Sequence, residues 1–327
     1  MSIVTRRGFV AGTSAIAASA AMAGGSALAQ SYPTEDIHFI CAFAPGSGAD
    51  VLVRYFAAKV APLTGRNVIV ENKAGAAGQM ALEHVARSKP DGHTIFVHAG
   101  SSASSSMHLF RKPSVDVLKQ IRIAATINQQ PYMIVVDNAS PHKTLADLTK
   151  ALKAKGVKAS YGVANPMSQI MSELYKVRID APTIQVLYKN SMDMMNDLTS
   201  GSLEFGSIDP VLALAQQRAG RLRILGISSD KRMSATGDLP TMTEQGVPMD
   251  VTGWWAAMVP AGTPQQAMDQ INKWFVAVVS SPETKTFLNN SGGDPYIVSP
   301  KDAQERLRQE IDQYGEWFKI AKIQQMG

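Results

Sequence analysis

The chain has 327 residues, a formal net charge of +5, 45% hydrophobic residues and only 18% charged residues. The basic excess is mild and is not concentrated in runs, whereas proteins that bind nucleic acid usually show a clustered basic face, so we expect no nucleic-acid partner. A chain of this length predicts two domains, because single hydrophobic cores stop growing near this size.

Residues 1–29 have the pattern of a secretory signal peptide. Arg6 and Arg7 precede an uncharged stretch from Gly8 to Leu28, and the segment ends in the small residue Ala29. The paired arginines also resemble the twin-arginine export form. The alternative is a membrane anchor, but a stretch rich in Ala, Gly and Ser is a poor spanning helix. We therefore expect a periplasmic mature chain that begins near Gln30, with a net charge of 30 − 27 = +3.

Strand and helix patterns alternate along the first third of the chain. The predicted strands are Ile37–Phe43, Val68–Val70 and Thr94–His98, and the predicted helices are Asp50–Leu63 and Gln79–Ser88. The single cysteine, Cys41, lies in the first of these strands, which predicts a buried, inert thiol and leaves a catalytic nucleophile as the alternative. Repeated strand–helix–strand units indicate a mostly parallel sheet covered by helices.

The same alternation continues to the end of the chain. The predicted strands are Tyr132–Val136, Ala159–Val163, Thr183–Tyr188, Leu203–Ile208, Leu222–Ile227 and Gly253–Val259. The predicted helices are Thr144–Lys155, Met167–Lys176, Met192–Leu198, Val211–Arg218, Pro264–Val279 and Pro300–Ile323. These elements are sufficient for a second α/β sheet.

The glycine-containing segment between the first strand and the first helix is the clearest candidate binding site. It reads Phe43, Ala44, Pro45, Gly46, Ser47, Gly48, Ala49 and Asp50. Glycines allow a tight turn, and the N–H groups at a helix start form an anion site. Such a site takes a phosphate or a carboxylate. The segment lacks the Lys of a phosphate loop and the glycine spacing of a dinucleotide site. Asp50 is a candidate N-cap of the helix and a candidate ligand contact, and the two roles are compatible.

Three other groups of residues are further candidates for a functional role. His93, His98 and His108 suggest a metal site, but five-residue spacing in a strand points the first two to opposite faces, so no metal is predicted. The serines at 101–106 lie at a predicted strand end, where Ser101 could hydrogen-bond a ligand. A secreted serine hydrolase would use Ser47 or a serine near 102 with a histidine base, but the sequence shows no nucleophile elbow. Of the adjacent tryptophans at 254 and 255, we expect one in the core and one near the hinge.

Several motifs together resemble a known family. They are the segments 33–50, 70–78, 90–94, 220–227, 239–241 and 260–264, together with Trp254. In this order they resemble the Bug-type substrate-binding proteins of tripartite tricarboxylate transporters. The resemblance implies a non-enzymatic extracytoplasmic receptor, without a cofactor, that closes on a small carboxylate. Its partner would be a membrane permease, or a signalling protein if the receptor acts as a sensor, and the receptor itself is expected to be a monomer.

The resemblance also implies the fold and its division. It implies an α/β, two-domain periplasmic-binding-protein-like fold of type II, with two mostly parallel sheets and a hinge that the chain crosses twice. Domain 1 would comprise residues 30–127 plus 254–327, and domain 2 would comprise residues 128–253. The glycine-containing segment would supply the first half of the pocket.

The second half of the pocket is likewise implied by the resemblance. It would contain Asn165, Met167, Ser168, Gln169, Tyr188, Lys189, Asn190 and Asp209. Two segments depart from the family pattern, because Asn190 replaces a usual glycine and residues 162–169 lack a usual histidine. Lys189 would favour dianionic ligands if its amine points into the cleft; the alternative is a solvated surface lysine.

Overall fold

The computed structural model describes residues 32–326, so the predicted signal peptide and the predicted start of the mature chain lie outside the described residues. The strands are β1 Ile37–Cys41, β2 Val68–Asn72, β3 Thr94–Ala99, β4 Ile121–Pro131, β5 Met133–Asp137, β6 Ser160–Val163, β7 Ile184–Leu187, β8 Phe205–Ile208, β9 Leu222–Ile227, β10 Thr252–Pro260 and β11 Asp294–Pro295. The helices are α1 Gly48–Thr64, α2 Gln79–Ala86, α3 Gly100–Leu109, α4 Val117–Gln120, α5 Leu145–Lys155, α6 Pro166–Arg178, α7 Met195–Thr199, α8 Pro210–Arg218, α9 Gln265–Val279, α10 Pro282–Asn290 and α11 Pro300–Ile320. Within this range no helix combines the length and the apolar character that crossing a membrane requires.

The first sheet has the strand order β11-β4-β10-β3-β1-β2. Strand β1 pairs in parallel with β2 and β3, and β10 pairs antiparallel with β3 and β4. Alternate residues of β1 face opposite sides, so Phe39 packs with α1 and α9, whereas Ile40 packs with α2 and α11. Helices therefore cover both faces of this sheet.

The second sheet has the order β7-β6-β8-β5-β9. Strand β6 pairs in parallel with β7 and β8, and β5 pairs antiparallel with β8 and β9. Helices α5 and α6 cover one face and helices α7 and α8 cover the other. Most strands of each sheet point the same way, and the predicted α/β class with two sheets is confirmed.

The chain crosses between the sheets twice, and Ser228 joins the two crossings. Tyr132 separates β4 from β5, and residues 228–251 lead from β9 back to β10. Ser228 is fully buried; its N–H donates to the Tyr132 carbonyl at 2.9 Å, and its hydroxyl donates to the Val251 carbonyl at 2.6 Å. The predicted domain boundaries at 127/128 and 253/254 fall inside β4 and β10 and stay a prediction.

Helix α11 contacts the cores of both sheets. Its Leu307 and Ile311 pack in the cluster on the first sheet, whereas Tyr314 and Phe318 pack with residues of the second. The Tyr314 hydroxyl lies 2.7 Å from the Met167 sulfur at the start of α6. The C-terminal helix is thus a third connection between the two halves.

The serine-rich segment follows the end of strand β3, as predicted, but it forms a helix that the sequence did not predict. Residues 101–106 lie in α3, where Ser104 and Ser106 donate to backbone carbonyls one turn earlier, at Gly100 and Ala103. Serine has a low helix propensity because it competes for backbone groups in this way, and the packing of α3 against α11 overrides that preference. The sequence pattern also missed strand β4 and helix α10, and it began the helix at 192–198 too early.

Candidate functional site

In each sheet there is one place where the chain leaves the carboxyl ends of two adjacent parallel strands toward opposite faces. We call the region beyond these strand ends the crevice of that sheet. In the first sheet these strands are β1 and β3, and the helices that follow β1 and β2 cover opposite faces. In the second sheet they are β6 and β8, with the helices after β6 and β7 again on opposite faces. Such a point, where the connections change sides, is where open α/β sheets bind ligands. The predicted site residues 43–50 follow β1, 165–169 follow β6 and Asp209 follows β8.

A tight turn leads from β1 into helix α1. The Ser47 N–H donates to the Ala44 carbonyl at 3.2 Å, and Gly46 has φ +80°, which a side chain would disfavour. Ser47 is the N-cap of the helix, because its hydroxyl accepts from the Asp50 N–H at 3.2 Å. The predicted N-cap role of Asp50 is therefore wrong, since this residue is the third residue of the helix, in its first turn.

Asp50 is instead the centre of a hydrogen-bond network that holds the turn. Its buried carboxylate accepts from the Gly46 N–H at 2.8 Å, from Arg54 Nε at 2.8 Å and from Asn72 Nδ2 at 2.7 Å. The Arg54 hydrogen bond is the main reason why the pKa of Asp50 is lowered to about 2. The side chain is only 2% exposed, so these contacts occupy it. The sequence analysis did not identify Arg54 and Asn72; the four-residue spacing of Asp50 and Arg54 on a helix was the available signal.

Two helix starts leave backbone donors at the first crevice. The Gly48 and Ala49 N–H groups, in the first turn of α1, have no intrahelical acceptor. Helix α3 begins directly after β3 at Gly100, and its N-cap, Ala99, has no side chain that can accept a hydrogen bond. The N–H groups of Gly100 and Ser101 are therefore uncapped as well, although the Ser101 side chain itself is 4% exposed. These donors suit an anion, as the sequence predicted for the segment at 43–50.

An aromatic cluster adjoins these donors. The Phe43 ring is 5.1 Å from the His98 ring and 6.1 Å from the Trp255 ring, measured between centroids. His98 and Trp255 are buried, whereas 37% of Phe43 is exposed. Burial lowers the pKa of His98 to about 3, so this ring is neutral at physiological pH. The other tryptophan, Trp254, is also buried, and its Nε1 donates to Glu310 at 2.8 Å.

The residues after β6 are mainly occupied in capping helix α6. The Asn165 side chain accepts from the Ser168 N–H at 2.9 Å, and the buried Ser168 hydroxyl lies 3.1 Å from the Asn165 N–H. Met167 is 9% exposed and its sulfur contacts Tyr314, so this side chain points toward α11. Gln169 is half-buried. Of these four predicted residues, Gln169 is the one whose side chain is neither capping the helix nor packed against α11.

Asp209 caps helix α8 at the neighbouring strand end. Its carboxylate accepts from the Leu212 N–H at 3.1 Å, and burial raises its pKa above the ordinary value. Tyr132, from the first crossing between the sheets, donates its hydroxyl to Asn165 Oδ1 at 3.1 Å. Burial, followed by the nearby Asp209 charge, raises the pKa of Tyr132. Tyr132 and Asp209 therefore lie close together at the second crevice.

The predicted loop at 188–190 follows β7, at the edge of the second sheet. The Tyr188 hydroxyl donates to Asp197 at 2.5 Å, and burial together with this contact raises the pKa of Tyr188 to about 12. Asn190 accepts from the N–H groups of Met192 and Asp193 and thereby closes a turn. Lys189 is exposed and makes no ion pair with the acidic residues described. Asn190 is thus a turn residue, and the contact of the Lys189 amine with the ligand stays a prediction.

The arrangement gives no support to hydrolysis. The Ser47 hydroxyl is engaged by the Asp50 N–H, and the histidines that hydrogen-bond have other partners. His93 contacts the Thr34 N–H, His38 contacts Glu71 and His108 contacts the Ile311 carbonyl. Over residues 32–326 no group of three or more His, Cys, Asp or Glu side chains is placed to hold a metal ion. Cys41 is buried, as predicted, and burial raises the pKa of its thiol.

Comparison with known proteins gives a consistent assignment. Residues 52–325 match the family described as the tripartite tricarboxylate transporter family receptor. The chain is 28% identical to Protein BugT of Bordetella pertussis over 291 residues, which cover 88% of this chain and 89% of BugT. Its fold is similar to that of R. palustris Rpa4515, whose structure contains adipate, with a TM-score of 0.79 and 25% identity over 90% of this chain and 100% of the other. It is also similar to the periplasmic binding protein BugD, with a TM-score of 0.76 and 25% identity over the same shares. The chain therefore belongs to the tripartite tricarboxylate transporter receptor family, a family of substrate-binding receptors.

Proposed function

We propose that this protein is a periplasmic solute receptor that closes its two sheets around a small carboxylate and delivers it to a tripartite tricarboxylate-type permease. The observation that carries this proposal is the first crevice, where the starts of α1 and α3 lie at adjacent strand ends and leave first-turn N–H groups that no cap takes. The Asp50 network holds the turn in place, so the Gly48 and Ala49 N–H groups are ordered before a ligand arrives. Preorganised donors of this kind bind a carboxylate with little loss of conformational entropy.

The two halves would close on the ligand by bending at the two crossings between the sheets, at Tyr132 and within residues 228–251. The second crevice, with Gln169, Tyr132 and Asp209, would then cover the ligand from the opposite side, and the loop at 188–190 would contribute to its edge. The predicted site residues serve different purposes in this proposal: Gly48 and Ala49 contact the ligand, while Ser47, Asp50, Asn165 and Ser168 hold the backbone in place. Export through residues 1–29 and delivery to a permease are parts of the proposal that the resemblance suggests.

A single backbone donor can be removed to test the site. Proline is favoured at the first helical position, and Ser47 has ψ 159°, which suits the residue before a proline. Gly48→Pro therefore deletes the Gly48 N–H but keeps the helix start. Gly48→Ala is the matched control, because it retains the N–H and a Cβ there meets no atom within 4 Å.

Calorimetric titration of the exported protein with small carboxylates and their amides provides the measurement. We expect the carboxylates to bind and the amides to bind far more weakly. Gly48→Pro should weaken carboxylate binding roughly tenfold or more, as for a hydrogen bond to a charged group, while Gly48→Ala stays close to the parent. Equal affinities in the two variants would place the ligand elsewhere. Uptake of the bound carboxylate by cells that lack this protein would then separate transport from sensing.

A further inference from the structure

Three uncharged rings stand beside the backbone donors of the first crevice. Phe43 is the partly exposed ring, and His98 and Trp255 pack behind it with a mutual distance of 5.7 Å. His98 also stacks on Phe96 at 4.7 Å, and its buried Nδ1 has no hydrogen-bond partner among the described residues. The histidine therefore contributes a flat, neutral surface and no charge. An exposed ring supported from behind offers a stacking surface to a planar ligand.

The ring and the donors belong to one rigid unit. Asn72 Nδ2 donates to the Phe43 carbonyl at 2.9 Å and to the Asp50 carboxylate at 2.7 Å. The same side chain therefore fixes the backbone of Phe43 and the first turn of α1. A ligand whose carboxylate meets the Gly48 and Ala49 N–H groups would thus find its body next to an apolar ring.

The second crevice, in contrast, has little capacity for another carboxylate. Both of its helices have proline at the first position, Pro166 and Pro210, which removes one N–H donor from each. The caps take the donors at the third helical position, Ser168 and Leu212, so one N–H group remains in the first turn of each helix, at Met167 and at Val211. The cap of α8 is itself an acidic side chain, that of Asp209. When Asp209 is deprotonated, its carboxylate repels an anion.

Apolar side chains border the second crevice instead of cations. Leu187, Met192 and Val211 adjoin the predicted ligand loops and are 68%, 55% and 45% exposed. Lys189 is the one cation in that loop, and a solvated lysine contributes little to binding. At the first crevice, Arg54 is paired with Asp50 and Lys73 is paired with Glu71.

From these contrasts we infer that the ligand is a monocarboxylate with an apolar, planar body, and that the receptor discriminates against dicarboxylates. The inference rests on the proposed function and specifies its substrate class. The carboxylate meets the Gly48 and Ala49 N–H groups at the start of α1, the planar body stacks on Phe43, and the uncharged far end faces the second sheet.

Calorimetry with paired probes tests the inference. Hexanoate and adipate have the same chain length, and benzoate and terephthalate have the same ring; only the second carboxylate differs. We expect each monocarboxylate to bind at least tenfold more tightly than its partner. Benzoate should also bind several-fold more tightly than cyclohexanecarboxylate, which is not planar. A dicarboxylate that binds as tightly as its partner overturns the inference.

Three variants and a matched control locate the effect. Phe43→Leu keeps an apolar side chain but removes the ring, so benzoate should weaken at least fivefold while hexanoate changes less than twofold. Ile69→Ala, at a similarly exposed position on the edge strand β2, should change neither. Asp209→Asn keeps an N-cap but removes the charge and should strengthen adipate several-fold. If Lys189→Met weakens adipate strongly, the second carboxylate has a cationic partner and the inference is wrong.

The failures of the two proposals are distinguishable. If adipate binds tightly and Gly48→Pro weakens it while Gly48→Ala does not, the proposed function stands and the inferred substrate class is wrong. If none of the probes binds, both are overturned. If benzoate binds but is insensitive to Gly48→Pro, the apolar class survives in a different site and the proposed carboxylate contact fails.

Discussion

The two crevices share a topology but differ in how their helices begin. In the first, α1 has glycine and alanine after its Ser47 cap, and α3 has no side-chain cap at all. In the second, α6 and α8 begin with proline and are capped by Asn165 and Asp209. The caps of α1, α6 and α8 each take the N–H group at the third position, but proline removes the first N–H group only from α6 and α8. Equivalent positions in equivalent folds therefore need not bind the same group, because the residues at a helix start decide how many donors an anion can use.

The strongest test of this difference compares the two aspartates. Asp50→Ala removes three hydrogen bonds from a buried carboxylate, so we expect the free energy of unfolding to fall by about 2–3 kcal/mol. Asp209→Ala removes only a helix cap and should cost about 1 kcal/mol. Urea unfolding at pH 7 measures both, and equal losses would contradict the distinction between a network residue and a cap.

Acid unfolding provides a control for the Asp50 result. The pKa of Asp50 is lowered from 3.8 to about 2 in the folded protein. Since the folded pKa is the lower one, its contribution to stability is complete above about pH 4 and is lost as the pH falls toward 2. The parent and Asp50→Ala should therefore converge in stability over this window, whereas Asp50→Asn, which retains some of the hydrogen bonds, should lie between them at pH 7.

The aromatic cluster predicts a second pH dependence, closer to neutrality. His98 is buried and neutral, with its pKa lowered from 6.5 to about 3. On acidification this histidine is therefore protonated in the unfolded chain at a higher pH than in the folded protein. The free energy of unfolding falls as the pH drops below 6.5. His98→Phe removes this term, so the stability difference between variant and parent should shift by about 1 kcal/mol in favour of the variant between pH 7.5 and 5.5. Parallel stability curves would show that His98 is accessible to protons.

The cap of α1 should matter for stability and little for binding. Ser47→Ala deletes the acceptor of the Asp50 N–H and should lower the free energy of unfolding by about 1 kcal/mol. The Gly48 and Ala49 donors remain, so the affinity for the best carboxylate should stay within about twofold. Titration calorimetry alongside urea unfolding separates the two effects, and a large loss of affinity would make the Ser47 hydroxyl a ligand contact.

Restoring donors to the second crevice gives the smallest expected effect. Pro166→Ala and Pro210→Ala each return an N–H group to a helix start. The interaction of an anion with such a start is favourable by about 0.3–1 kcal/mol. The double variant should therefore bind adipate roughly two- to fivefold more tightly and leave hexanoate unchanged. An equal gain for both ligands would mean that the second crevice already contacts the common carboxylate.

The sequence predicted the architecture well because its signals are local. Apolar periodicity located most strands and helices, and the motifs located the turn at 44–47. Strand β4 was missed because its central position in the sheet buries most of both faces, which removes the alternation that identifies a strand. Helix α3 was missed because six polar or small residues give a weak helical signal on their own.

The site was predictable only as a set of segments. The sequence identified residues 43–50, but it could not assign the N-cap to Ser47, because Asp50 satisfies the same preference. Asn72 lies far along the chain and became part of the site through the pairing of β1 with β2. The environment of His98 depends on three elements that meet only in the fold. Side-chain roles that arise from long-range packing are therefore beyond what a single sequence conveys.

Helix α11 gives the protein an internal optical probe. Tyr314 contacts Met167 from the second half, and the Trp317 ring lies 5.3 Å from the Tyr314 ring. If one half rotates against the other, the contact between Tyr314 and Met167 is displaced or broken. Such a rotation also changes the surroundings of the Trp317 indole, which lies one turn further along α11. If the receptor opens and closes as proposed, we therefore expect the fluorescence of Trp317 to change with that motion, so conformational kinetics can be recorded without attaching a dye.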